Sequence, residues 1–290
     1  MTASQAPSQR VSEVSPQKTL PQKTKAASET AAGDGEESGP ALDFADPDVV
    51  AREEDLRAEA ASLEAAIEAA VPSGPSEPDG GYSAAAAALE TRLPLFHAHY
   101  EAFVRAVIAT GTLPVTCRSG CGSCCSHYVS SVEPFELIYL HGRIRKDPAY
   151  PSRLVAFHRR ASLFQSLLAD ARRAGHTDEE ADDRALFRYF LRGQPCPFLS
   201  ASGDCGVYRY RPMTCRMFFS QSHPSLCRGK AAASPGNRNF IVELPDDIEA
   251  TLARAASLLA HLELPESLFG GLLEANARFG PWDQDQEAGT

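Results

Sequence analysis

The chain has 290 residues, with 28 basic against 38 acidic side chains and a formal net charge of −10. That balance, with no clustered Lys or Arg, argues against a phosphate backbone, so nucleic acid is set aside as the main partner. The 43% of apolar residues can build a core, yet no run of about 18 of them could cross a membrane and no apolar leader opens the chain. A cytosolic, cytoplasmic setting is expected, where clustered cysteines read as metal ligands rather than as disulfides.

Residues 1–46 are rich in Ser, Ala, Gln, Pro, Lys and Glu, and read as a disordered tail. An amphipathic helix is expected over 47–71, where Leu56, Ala60, Leu63, Ile67 and Ala70 recur at steps of four and three. Its apolar stripe either folds back on the domain or offers a site for a protein partner. Residues 72–82, with three prolines and three glycines, read as a linker. A helical domain then spans 83–280, followed by a flexible tail at 281–290.

Within that domain a helix runs through Leu89 and Leu93 and on to about residue 110, with Pro94 expected to divide it. Helices follow over 134–146 and over 152–173, the latter carrying the stripe Leu154, Phe157, Ala161, Phe164 and Leu168. Thr177 and Glu180 form a capping box for a helix ending near Gly193. Residues 194–238 turn to Pro, Cys and loops, and a short strand is expected over 239–244. A helix using Ile248, Leu252, Ala255, Leu259 and Leu262 follows, with a further short one after Pro265. Five or six helices and little strand make the fold class mainly α: a single helical domain around an irregular, metal-organised cysteine-rich centre.

The chemistry is concentrated in Cys117-Arg-Ser-Gly-Cys121-Gly-Ser-Cys124-Cys125-Ser-His127. Thiolates are soft ligands for zinc, Cu(I) and iron–sulfur clusters, and two or three intervening residues let successive sulfurs face one centre. A second set lies downstream at Cys196, Cys205, Cys215 and Cys227. All eight are candidate metal ligands. One tetrahedral zinc needs four, so eight thiols point to two centres or to a cluster with further ligands. Adjacent Cys124 and Cys125 suit a cluster or two metals better than one mononuclear ion. The spacing Cys117-x3-Cys121-x2-Cys124 also occurs in radical S-adenosylmethionine enzymes. Those place it in an α/β barrel, whereas helices follow here.

The elements Cys-x3-Cys-Gly-x-Cys-Cys, Cys-Pro-Phe-Leu and Cys-Gly-Val-Tyr-x-x-Arg-Pro-x-x-Cys-Arg resemble those of the YkgJ-type cysteine-cluster proteins, the CxxCxxCC family. The likeness covers about residues 115–228 and rests on Cys117, Cys121, Cys124, Cys125, Cys196, Cys205 and Cys215, with Tyr208, Arg211, Pro212 and Arg216 beside them. The resemblance implies chelation of zinc or iron and no one reaction. A similar cluster occurs in the enzyme that N-methylates flagellin lysines, but this chain has no separate methyl-donor motif.

His127 and His223 stand near the thiols as further donors, against the simpler reading of solvated loop residues. Glu136 favours a helix N-terminus and is also placed to act as a base or ligand. Arg211 and Arg216 flank Cys215, where cations favour thiolate. Tyr208 is expected to pack. Three functions remain open: an iron or iron–sulfur redox protein, a zinc-stabilised interaction module using helix 47–71, and an enzyme modifying a protein or peptide at the metal centre.

Overall fold

The structure is a computed structural model that describes residues 42–71, 79–111, 114–118, 120–233 and 237–280. Most of the expected N-terminal tail and linker, and the whole C-terminal tail, lie outside the described residues. Helix α1 spans Pro47–Ala70 and starts on Asp46, whose side chain accepts from the Asp48 amide. Pro47 sits at the first helical position, where its missing N–H costs nothing. The stripe Leu56, Ala60, Leu63 and Ile67 is fully buried. It faces α2 (Tyr82–Thr110) and α6 (Asp246–Leu258), so α1 and the rest of the domain share one core. Its apolar face is therefore taken up within the chain rather than presented to a partner.

Pro94 does not divide α2, which is continuous through it. The hydrogen bond that Pro94 cannot make belongs to the carbonyl of Glu90, an exposed residue where water can satisfy it. Helix α3 (Pro134–Ile144) lies against α2, and α4 (Tyr150–Arg173) pairs with α5 (Asp178–Leu191). The capping box is present: the Thr177 hydroxyl accepts from the Glu180 amide at 3.3 Å, and the Glu180 carboxylate accepts from the Thr177 amide at 3.1 Å. Helix α7 (Leu268–Phe279) closes the core against α3 and α4.

Strand β2 (Asn239–Ile241) is antiparallel to β1 (Phe218–Ser220), which the sequence reading missed. Only a two-stranded sheet is present among the described residues. The fold is mainly α and a single domain. None of the described helices is long and apolar enough to cross a membrane.

Candidate metal centre

The cysteine segments are irregular and are held by a few anchors. Residues 114–118 dock on β1: the Thr116 amide donates to the Ser220 carbonyl at 2.8 Å, and its hydroxyl reaches the Ser222 carbonyl at 2.5 Å. The segment 196–206 folds back on itself through Ser200 N–H to Asp204 O and Gly206 N–H to Phe198 O, both 2.8 Å. Phe198 and Val207 pin that turn into the core. The two segments meet backbone to backbone, with the Cys196 amide donating to the Cys125 carbonyl at 2.7 Å.

Their contact is close enough to require glycine. A Cβ on Gly203 would lie 2.6 Å from the Gly120 carbonyl oxygen, and Gly203 has φ of +88°. Gly203→Ala is expected to destabilise the protein by about 1–3 kcal/mol and to lower its metal content. Thermal unfolding with elemental analysis checks both; an unchanged Tm would show that the contact yields freely.

Cys215 lies on the 3-10 turn Met213–Cys215, and Cys227 ends the turn Pro224–Cys227. Electrostatics link the thiols through Cys124. Hydrogen bonding to Cys125 is the first cause that raises the Cys124 pKa well above normal, followed by burial of the thiol, although the residue as a whole is exposed. Burial pushes Cys196 up to about 12 and raises Cys117, Cys205 and Cys215. In each of these four, repulsion from Cys124 adds to the rise. Cys196, Cys205 and Cys215 also repel one another, while Cys117 feels Cys121 and Cys227. Cys124 is thus the thiol whose charge is felt at all four of the others. Arg211 opposes the rise at Cys124, Cys205 and Cys215, the compensation expected of a cation beside this set.

Among the described residues no three Cys, His, Asp or Glu side chains stand where one ion could bind them all. The thiols are neighbours, not a finished coordination sphere. The donor chemistry still fits zinc or iron, since eight soft sulfurs in one irregular region match what those metals take. Protonated thiols must lose their protons to ligate, so metal uptake releases protons.

Cys227 stands apart in kind. It is buried, and its thiol lies 3.3 Å from the Ser220 hydroxyl and 3.8 Å from the Asn239 side-chain oxygen. That environment also suits a neutral buried thiol. His127 stacks on Phe190 with ring centroids 4.2 Å apart, and burial pushes its imidazole down to about 4. His223 caps its own turn through Ser225. Tyr208 is exposed rather than packed, with the Arg211 guanidinium 3.9 Å from its ring centroid.

Glu136 belongs to a buried polar cluster that the sequence did not disclose. Its carboxylate accepts from the Met213 amide at 2.6 Å and lies 3.6 Å from His97 Nε2. Arg216 donates to Glu101 and to the carbonyls of Arg211 and Arg209, the latter two at 2.8 and 2.9 Å. His97, Glu136 and Arg216 are all buried. The only advance signal was the i, i+4 spacing of His97 and Glu101 on α2. A cleft of about 310 Å³ opens beside the cysteine loops, lined by Gly120, Gly122, Leu199 and Arg228 among others.

The chain matches no curated protein and no solved structure. Residues 116–231, less than half of the chain, match the model of the CxxCxxCC family, whose description reads "Putative zinc- or iron-chelating domain". The matched stretch takes in all eight cysteines, both loops joined at Gly120 and Gly203, and the Arg211–Arg216 turn. Over residues 116–231 the chain is similar to the CxxCxxCC family.

Proposed function

We propose that the protein holds a polynuclear thiolate centre of iron, with a redox role in the cytosol. Cys124, Cys125, Cys196, Cys205 and Cys215 form one ligand group. Cys117 and Cys121 form a second, with Cys227 at its edge. The observation that carries this reading is the joining of the two cysteine segments, Cys196 N–H to Cys125 O at 2.7 Å, beside a Cys124 whose charge is felt at Cys117, Cys196, Cys205 and Cys215. A shared sulfur suits a centre of more than one metal ion better than separate tetrahedral sites. Iron held there supplies one-electron chemistry. The residues around it fix the loops (Phe198, Val207), offset the negative charge (Arg211) and leave Cys117 and Cys124 at the surface.

A zinc-stabilised module is the second reading. It is favoured by residues 196–238, where the described structure is mainly 3-10 turns and one short strand, an organisation that a structural ion would hold. Anaerobic purification, elemental analysis and a visible spectrum separate the two. Stoichiometric iron with visible absorption supports the redox centre. Zinc alone in a colourless protein replaces it with the module, and a protein free of both metals overturns metal binding.

A further inference from the structure

The C-terminal half of α5 carries an outer face that the fold leaves uncovered. Its inner side, Ala181, Ala185 and Tyr189, is buried in the core. Arg184, Phe187, Arg188, Leu191 and Arg192 follow the steps i, i+3, i+4, i+7 and i+8, so they share the opposite side, and all five are exposed. Phe187 is 41% exposed and Leu191, one turn on, is 37% exposed. A helix packed on one side ordinarily turns polar residues outward. Phenylalanine set among arginines instead matches the composition of protein interfaces.

The cations of this face are not used up within the chain. Arg192 forms no ion pair among the described residues. Arg188 approaches Asp170 only to 3.9 Å, and that carboxylate is already held by Arg173. Arg184 is felt by Glu180, one turn back towards the acidic start of the helix.

The face runs on into the cysteine region. Gly193 and Pro195, which follow α5, line the cleft of about 310 Å³ together with Arg228 and Gly229. Arg228 is exposed and spends its Nε on the Ser123 hydroxyl at 2.9 Å. The 3-10 turn Gly229–Ala233 lies against α5 and carries the exposed Lys230. Residues 184–238 hold nine of the 28 basic side chains and one of the 38 acidic ones, in a chain of net charge −10. No run of Lys or Arg marks this in the sequence, because the arginines of α5 stand four apart and Arg228 and Lys230 join them only through the fold.

We infer that this face of α5, with Arg228 and Lys230 beside it, docks an acidic segment of a partner protein that also carries apolar anchors. Carboxylates of the partner meet the cations, while its apolar side chains cover Phe187 and Leu191. The chain as a whole is acidic and repels such a partner, so approach by this basic face is favoured over any other. A nucleic-acid backbone would engage the cations alone and leave the apolar pair bare. The docked partner lies beside the cleft at the cysteine loops, whichever metal they hold.

The test is fluorescence anisotropy of the full chain, purified with its metal, against a labelled peptide of repeated Glu-Glu-Leu-Leu units. The peptide is expected to bind and to weaken as salt rises. Oligo-glutamate should bind less tightly, and a Lys-Lys-Leu-Leu peptide not at all. Arg188→Glu with Arg192→Glu should weaken binding by about tenfold or more and remove most of its salt dependence, with metal content unchanged. Phe187→Ser with Leu191→Ser should bring the peptide down to the level of oligo-glutamate and keep the salt dependence. If the serine variant fails to fold, the charge-reversed pair, on the solvated surface, carries the test. No binding of the acidic peptide, binding indifferent to the variants, or tighter binding of a single-stranded oligonucleotide overturns the proposal. Self-association in sedimentation that the charge-reversed pair abolishes overturns it too, and puts a second copy of the chain in the partner's place.

Discussion

Cys124→Ser is expected to bring the metal content of the protein close to zero, whereas Cys227→Ser should retain most of it. The contrast follows from where the two thiols lie. Cys124 is felt by Cys117, Cys196, Cys205 and Cys215, and it is hydrogen-bonded to Cys125. Removing a shared sulfur damages both ligand groups at once. Cys227 has oxygen partners in Ser220 and Asn239, and its loss leaves the group around Cys124 complete. The Ser side chain is nearly the same size, so packing changes little and the readout reports ligation. Because ligand binding and folding are coupled wherever a metal organises loops, Tm should fall with the metal. Elemental analysis of anaerobically purified variants, with unfolding followed by circular dichroism, checks both. Stoichiometric metal in the Cys124 variant would sink the proposed ligand set.

The sequence disclosed the helices for a simple reason. Apolar residues at steps of three and four can be buried only on a helix, and the stripes of α1 and α4 do just that, with Leu56, Leu63, Ile67, Phe157, Phe164 and Leu168 all buried. The Thr177–Glu180 box was equally legible because its partners are local. What escaped was non-local. Strand β1 has three residues, too few to show a period, and exists because β2 pairs with it. Whether the α1 stripe served the domain or a partner depended on α6, nearly two hundred residues away. The meeting of Gly120 with Gly203 and of Glu136 with Met213 depends on the fold as a whole. Glu136 illustrates the limit well: an acid in the first turn of a helix is fully explained by the helix dipole, so nothing in the sequence marks it as buried.

Glu136→Leu is the second substitution expected to have a large effect. The carboxylate is the acceptor for the Met213 amide, and that residue opens the turn that carries Cys215. Leucine removes the acceptor and leaves a buried donor unmet beside His97 and Arg216, at a cost of about 1–3 kcal/mol. The turn should loosen and metal content should fall with it. Glu136→Gln keeps an acceptor oxygen and should retain metal, so the pair separates loss of the hydrogen bond from loss of the charge. The pH dependence gives an independent check. Burial, the first cause, raises the Glu136 carboxyl from 4.5 to about 7, against the pull of the Met213 and Glu133 amides and of Arg216. Between those values the folded chain binds the extra proton, so this group's contribution to stability falls as pH rises from about 4.5 to about 7, then levels off. Glutamine does not titrate. The stability of Glu136→Gln relative to wild type should therefore grow from pH 4 to pH 8 by on the order of 3 kcal/mol. Other groups around it titrate too. Burial raises Glu133 to about 7, and His97, held neutral by burial, loses stability as pH falls below 6.5. His97 is present in both and largely cancels, whereas Glu136 is itself a cause of the Glu133 rise, so the substitution also brings Glu133 down and adds to the same difference. Denaturant unfolding of the two proteins across that range measures the difference. Parallel curves would mean that Glu136 is ionised in the folded protein throughout, and that Arg216 outweighs burial in setting its charge.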